Sequence, residues 1–383
     1  MINQDYFVVG DNYETLTHLE TKKLIQILSM IISSSKYGNR IAIYLPRNYM
    51  YLVSILSVWF AKKCFIPLNQ NWPKKYIIQI LNDSKVKTVL TEKKFFFLKK
   101  FNQFVVKKDF LIKKKVSKKF YKTKNKSAYI IYTSGSTGKP KGVLISNLAL
   151  ESYIKWLDKK FYNEKRLDLS LLITGEITFD IVIADLSFAL SRQVSIYITP
   201  DNKNVLSAIK LLGEKPINVI YTVPSFMEKL IHANKIFKKK FKNINYVFCG
   251  GEVFKKKLYF QIKEVFYNSK IYNMYGPTEC TINCLAIELS SISKLKEYKV
   301  LPTGKSFDHL DYRLERNGKN SPKEGELYIG GAQLMNGYIN TEQKKNGLIL
   351  IKNKKYYATG DYFVKKKKIY YFQGRINEIK KIS

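Results

Sequence analysis

An α/β fold is predicted by two features of this sequence. β-Branched runs alternate with segments of helical length over most of the first 300 residues, and from about residue 301 the pattern turns to short strands separated by Gly, Asn and Lys. With 383 residues, 45% hydrophobic and 14% aromatic, the chain has ample material for a packed core, which excludes disorder throughout. Taken in order, residues 41–46 (IAIYLP) form an apolar run stopped by proline, and residues 51–61 have the length and spacing of a buried helix. CFIPLN reads as the next strand, a helix is expected over 73–82, and VKTVLT follows as another strand. The alternation returns at LSLLIT, VSIYIT, INVIYTVP and INYVFCGG, as in a parallel sheet covered on both faces. YRLERNGK, GELYIGG, KKYYATGDYF and KKIYYFQGR then predict a mostly β lobe.

Lys and Arg total 67 against 30 Asp and Glu, a formal charge of +37, and only seven of those cations are arginine. Such a surface attracts polyanions nonspecifically. The lysines come with many Ile, Asn, Tyr and Phe, a mixture that A/T-rich codons produce without selection for a basic patch. Residues 93–126 carry fourteen lysines, the single acid Asp109 and interleaved Phe and Tyr. They read either as a nucleic-acid patch or as a solvated connector whose phenylalanines dock on the core, and the connector is favoured. Cys64, Cys249, Cys280 and Cys284 show no CxxC spacing, and with three histidines in all a zinc site is not expected. Cysteine usage, the acidic first residues and the shortness of the most apolar stretch predict a cytoplasmic protein with no secretory signal and no membrane span.

The most informative stretch is YIIYTSGSTGKPKGV, residues 129–143. A β-branched strand runs into hydroxyls and glycines and then into Lys139 and Lys141. Glycines let backbone N–H groups turn toward an anion, hydroxyls donate further bonds and lysines supply charge, a combination suited to a triphosphate. The GxxxxGK[ST] pattern does not match, so a flexible Ser/Gly turn is the alternative from this stretch alone.

TSGSTGKPKG resembles the phosphate loop of the adenylate-forming superfamily, and further segments match in that family's order. WFAKKCFIPLNQNWP resembles the element preceding the loop, TFDIVIADL the substrate-binding strand and helix, and NMYGPTE the adenine and magnesium segment. GELYIGG, YATGDY and FQGRINEIK resemble the β-lobe, ribose-binding and hinge motifs. The resemblance covers nearly the whole chain. It implies the large N-terminal core of such enzymes: two α/β lobes with the phosphate loop and substrate pocket over 1–300, a β-rich lobe over 301–373, and a hinge stub over 374–383 with no small C-terminal domain after it. Carried over by motif, Thr133, Ser134, Gly135, Ser136, Thr137, Gly138 and Lys141 would embrace the phosphates of ATP. Tyr275 and Gly276 would meet adenine, with Gly250, Gly251 and Glu252 as the neighbouring wall. Thr278 would lie near the α-phosphate, Glu279 would help hold Mg²⁺, Asp361 would bind the ribose hydroxyls and Arg375 would add a contact.

The implied reaction is attack by a carboxylate on the α-phosphate of ATP, which needs no general base because the acid is already ionised at neutral pH. His18, His232 and His309 accordingly read as structural or surface residues. Asp180 falls where amino-acid-activating members carry the aspartate that pairs with the substrate ammonium; the alternative is a helix cap. By the same alignment Ile181, Ala184, Thr222, Val247, Cys249, Met274, Ile282 and Asn283 would line the side-chain pocket, favouring a small or aliphatic side chain. The resemblance leans toward peptide-synthetase adenylation domains and D-alanine–carrier ligases, hence toward a carrier-protein partner with a phosphopantetheine thiol. Two departures are the absence of the C-terminal lysine domain, which would slow turnover and make a separately encoded domain a possible partner, and Asn377 where members often have the hinge aspartate. A truncated or degenerate member with little turnover, an acyl-CoA synthetase-like ligase, and a basic nucleic-acid-binding protein on an old enzyme fold are the alternatives.

Overall fold

The computed structural model describes residues 7–11, 13–113, 125–134, 140–161, 169–191, 194–201, 204–293, 295–298, 300–340 and 347–379. Two sheets organise them. The seven-stranded sheet runs, in spatial order, Gly337–Tyr338, Pro140–Ser146, Ser127–Ser134, Cys64–Pro67, Arg40–Tyr44, Thr88–Thr91 and Asn102–Val105. The fifteen-stranded sheet has a parallel centre of Lys270–Tyr275, Tyr246–Gly250, Val219–Thr222, Leu169–Ile173, Val194–Ile198 and Phe7–Gly10. The β-rich region continues this sheet, through Leu285–Glu288, Gly304–Ser306 and Ile369–Arg375. Strand direction changes from parallel to antiparallel at Leu285–Glu288, ahead of residue 301, with no break in hydrogen bonding.

Strand period decides where the side chains go. Ile41 and Ile43 of one sheet and Leu169, Leu171 and Ile173 of the other face a shared core that also takes in helices His18–Ser33, Tyr49–Phe60, Asn147–Phe161 and Asp180–Ser191. Their neighbours Ala42 and Tyr44 point to an outer cluster under helix Lys74–Asp83. Leu172 and Ile220 point to another, under helices Val205–Glu214, Pro224–Phe237 and Lys256–Val265. The result is helices outside both sheets and helices between them, the layered burial that continuous apolar strands demand. Helix Tyr49–Phe60 is almost wholly buried, and the Asn48 side chain caps it by accepting from the N–H groups of Met50 and Tyr51 at 3.0 and 3.3 Å.

The described part of the lysine-rich stretch adds the edge strand Asn102–Val105, parallel to Thr88–Thr91. Phe95 and Phe97 pack edge-on against Tyr44, at 5.1 and 5.8 Å between ring centres, while Phe96 stays 82% exposed beneath Lys99. Residues 114–124 of that stretch lie outside the described residues.

Candidate active site

A cavity of about 240 Å³ opens where the parallel centre of the large sheet meets its antiparallel extension. Its walls include Gly251, Glu252, Met274, Tyr275, Gly276, Asp361 and Arg375. Asp361 and Arg375 stand opposite each other on paired strands, and Tyr275 ends the central strand Lys270–Tyr275. The Tyr275 hydroxyl donates to Asp361 Oδ2 at 2.6 Å, and its ring meets Phe363 edge-on at 5.0 Å. The ring is thus held from two sides. Arg375 Nε lies 3.0 Å from Asp361 Oδ1 without hydrogen-bond alignment, so Oδ1 is buried with charge nearby and no hydrogen-bond donor. Burial pushes the Asp361 carboxyl up, while the tyrosine's bond and the arginine's charge pull it back.

Close backbone approach explains the glycines. A Cβ at Gly276 would sit 2.3 Å from the Ile282 carbonyl oxygen, and one at Gly250 would sit 2.9 Å from that of Met274. Gly251 has a φ of +82°, in the left-handed region that disfavours side chains. Glu252 turns its carboxylate to the start of helix Pro224–Phe237, accepting from Ser225 N and Oγ at 2.9 and 2.8 Å.

On the phosphate side, Thr133 and Lys141 face each other across the antiparallel pair Ser127–Ser134 and Pro140–Ser146. Ser134 pairs with Pro140 through its backbone, whereas Gly135, Ser136, Thr137 and Gly138 lie outside the described residues. Lys141 Nζ stands 5.4 Å from the centre of the Tyr338 ring, and the Tyr338 hydroxyl donates to Glu279 Oε1 at 2.8 Å. One tyrosine therefore joins the strand leaving the loop to the carboxylate of NMYGPTE. Thr278, next to Glu279, hydrogen-bonds the Asp180 side chain. The described flanks of the loop and the Tyr-Thr-Glu segment converge on one side of the molecule.

Asp180 begins helix Asp180–Ser191. The residue keeps partial solvent contact, yet its Oδ2 is buried with no hydrogen-bond partner. Desolvation raises its pKa from the usual 3.8 to about 7; the Thr278 bond and the N–H groups of Asp180 and Ile181 oppose this, and the negative charge of Glu279 adds to it. The backbone bonds agree with a role at the helix start, and the orphaned Oδ2 remains open to a donor from outside the protein.

The pocket assignment needs a correction. Ile181, Ala184, Met274 and Ile282 pack in the core between the sheets, and Asn283 is buried beside them. Val247 and Cys249 instead point into the outer cluster beneath helices Val205–Glu214, Pro224–Phe237 and Lys256–Val265. Thr222, paired with Cys249, accepts a bond from Thr174 Oγ1 at 2.8 Å on that row. The side chains facing Asp180's helix are Tyr221 and Phe248, with Gly250 following in the same parity. A one-residue offset along a strand moves every side chain to the other face. Tyr221 donates to Asn283 Oδ1 at 2.8 Å, and Asn283 Nδ2 donates to the Tyr153 hydroxyl at 3.1 Å, which makes a buried polar belt the motifs did not announce. Gln333 is announced by no motif either: its Nε2 donates to the carbonyls of Cys280, Thr281 and Asn283, and His309 Nε2 meets its Oε1 at 2.7 Å. That bond gives His309 a structural place behind the 280–283 loop.

The chain matches the AMP-binding enzyme family over residues 3–339 and belongs to it. This is a family of ATP-using, adenylate-forming ligases. One of the mycosubtilin synthase subunits of Bacillus subtilis is 29% identical over 84% of this chain, which spans 12% of that protein. The D-alanine–D-alanyl carrier protein ligase of Lactiplantibacillus plantarum is 33% identical over 56% of this chain and 43% of that ligase. An o-succinylbenzoate CoA synthetase of Bacillus subtilis, solved with its acyl-adenylate intermediate, has the same fold, with a TM-score of 0.81 at 17% identity, covering 97% of this chain and 75% of that one. The chain spans 12% and 59% of the lengths of two curated relatives, the mycosubtilin synthase protein and the dapdiamide synthesis protein DdaD of Enterobacter agglomerans.

Proposed function

We propose that this protein activates a small, uncharged amino acid by adenylation. A substrate carboxylate oxygen attacks the α-phosphorus of ATP, the bond from that phosphorus to the bridging β-oxygen breaks, and pyrophosphate leaves with its electron pair. The product is aminoacyl-AMP. The observation that carries this reading is the buried, unpartnered Oδ2 of Asp180, whose carboxylate lies beside the Thr278 expected at the α-phosphate. A carboxylate so placed is costly unless a cation meets it, and the α-ammonium group of an amino acid is such a cation.

The cavity at the sheet junction would take the adenosine part of ATP: Tyr275 presents a fixed ring for adenine, and Asp361 Oδ1 remains as acceptor for a ribose hydroxyl. Lys141 and Thr133 stand on the phosphate side. Among the described residues no cluster of three or more His, Cys, Asp or Glu could hold a metal. A single carboxylate from Glu279 suits Mg²⁺, which takes one or two carboxylates and completes its shell with water and substrate phosphates. Bound there, the ion would neutralise phosphate charge; Tyr338 keeps Glu279 oriented for it. The rings of Tyr221 and Phe248, 5.9 Å apart between centres, pack on the face of the strands turned toward Asp180's helix, and their bulk favours a short substrate side chain. Relatives named as peptide synthases and carrier-protein ligases support transfer of the aminoacyl group to a carrier-protein thiol.

The test is amino-acid-dependent exchange of labelled pyrophosphate into ATP over a panel of amino, aliphatic and aromatic acids, with ATP binding measured separately by calorimetry. Exchange stimulated by one or a few small amino acids is expected. Exchange stimulated only by acids lacking an α-amino group would transfer the assignment to an acyl-CoA synthetase-like ligase, and ATP binding without exchange would make the chain a degenerate member.

A further inference from the structure

We infer that Arg47 is a positioning residue for this site: it reaches from the seven-stranded sheet into the large sheet and holds the turn that delivers Asp180. The inference rests on the adenylation reading for its functional half and on geometry alone for its structural half. Arg47 lies between strand Arg40–Tyr44 and the Asn48 cap of helix Tyr49–Phe60, so its backbone belongs to the first lobe. Its guanidinium belongs to the second. Nη1 donates to the Gly175 carbonyl at 2.6 Å, Nη2 to that of Ile173 at 3.0 Å, and Nε to that of Thr199 at 2.7 Å.

Those carbonyls come from the C-terminal ends of two neighbouring parallel strands, Leu169–Ile173 and Val194–Ile198, and from the turn between the first of them and helix Asp180–Ser191. Strand ends leave carbonyls that must find a donor if water is excluded; that of Ile173 also accepts from Thr199 N at 3.2 Å, so Arg47 is a further donor to it. A planar fork with five N–H groups can serve three at once, which an ammonium on a flexible stem cannot do in the same fixed directions. Arg47 keeps some solvent contact as a residue, but its surroundings desolvate the guanidinium enough to bring its pKa down to about 10. It remains a cation at neutral pH.

Two further observations tie this clamp to the pocket. Gly175, which accepts the shortest of the bonds, lies under Ile181: a Cβ there would come within 3.2 Å of the Ile181 side chain. Asp185, on the same helix as Asp180, is fully buried with both carboxylate oxygens unpartnered, and the charge of Arg47 is what draws its raised pKa back down. Moving the guanidinium would release the turn before Asp180 and remove the positive charge that offsets the burial of Asp185. Both changes displace the start of the helix that carries Asp180, Ile181 and Ala184.

The test compares wild-type protein with R47K and R47A by two readouts. Hydrogen–deuterium exchange of the full chain should show faster exchange in R47A confined to peptides covering 173–181 and 199–201, with R47K between the two. In pyrophosphate exchange, the KM for the amino acid should rise on the order of 10²-fold in R47A, as expected for misplacing a contact by about 1 Å, with the KM for ATP changed less than about threefold. R47K should recover part of the loss. Exchange protection unchanged over 173–181 would overturn the clamp, whatever the protein's activity. Loosened exchange with both KM values raised equally would overturn its role toward the amino acid. If the wild-type protein supports no amino-acid-dependent exchange, the adenylation reading fails, and the hydrogen–deuterium result still decides the clamp. Where R47A does not fold, R47K carries both comparisons.

Discussion

The two halves of the candidate site are built differently. On the nucleotide side every described charge has a protein neighbour: Asp361 has Tyr275 and Arg375, Glu279 has Tyr338, and Glu252 has Ser225. On the amino-acid side Asp180 keeps a buried oxygen with no partner, and its carboxyl is raised to about 7. Each half keeps one buried carboxylate oxygen without a hydrogen-bond donor, Asp361 Oδ1 and Asp180 Oδ2, and the halves differ in that the Arg375 cation stands 3.0 Å from the first. A preorganised cleft suits a cosubstrate common to every turnover, and an unsatisfied carboxylate gives selectivity, because only a cation relieves it.

The largest effect should come from the junction of the halves. Glu279→Gln should lower exchange on the order of 10²–10³-fold, the scale of losing one preorganised group that stabilises charge, with the fold intact by circular dichroism. On the amino-acid side, Asp180→Asn should raise the amino-acid KM and leave ATP binding by calorimetry unchanged; equal losses for both ligands would erase the proposed division. A nucleotide-side change should do the reverse. Tyr275→Phe removes the donor to the buried Asp361 Oδ2, a loss of about 1–3 kcal/mol, read as weaker ATP binding with amino-acid preference unchanged.

pH sharpens the contrast. Asp180 has its folded pKa raised above the ordinary 3.8, so between about 4 and 7 the folded state holds a proton that the unfolded chain releases. That contribution makes stability fall as pH rises through this window and level off above it. Amino-acid binding should move the opposite way, improving as Asp180 ionises near 7, since the ammonium group needs a carboxylate. In Asp180→Asn the pH dependence of the amino-acid KM over this range should flatten. The smallest effect separates the two faces of one strand: Phe248→Ala should widen the range of accepted side chains, and Cys249→Ala, whose side chain lies in the outer cluster, should leave it unchanged.

Much of this architecture was legible in the sequence because its signals are local. Expected runs such as CFIPLN and VSIYIT became Cys64–Pro67 and Val194–Ile198, whereas the antiparallel region begins at Leu285–Glu288, earlier than the expected change near residue 301. Gly276 and Gly250 were readable for a related reason, since their motifs record a backbone approach too close for a Cβ. The amino-acid pocket depended on parity, and the strands within INVIYTVP and INYVFCGG carry apolar or aromatic side chains on both faces because both faces of that sheet are covered. With no polar alternation to mark the inner face, motif order points to Thr222, Val247 and Cys249 where Tyr221, Phe248 and Gly250 stand. Arg47 and Gln333 carry no local signal at all. Each is placed by carbonyls far away in the chain, at Gly175 and Thr199 for one and at Cys280 and Asn283 for the other.

The central claim is that one nucleotide and one zwitterion occupy adjoining halves of a single site. It is tested most directly by titrating the protein with a non-reactive aminoacyl-sulfamoyl adenosine, a mimic of the adenylate that spans both halves, and with AMP alone. The mimic of the amino acid that stimulates exchange should bind at least 10²-fold tighter than AMP, the lower end for an analogue of a reaction's high-energy species, and Asp180→Asn should remove most of that advantage. Equal affinity for the mimic and for AMP would show that the amino-acid half does not exist where Asp180 stands.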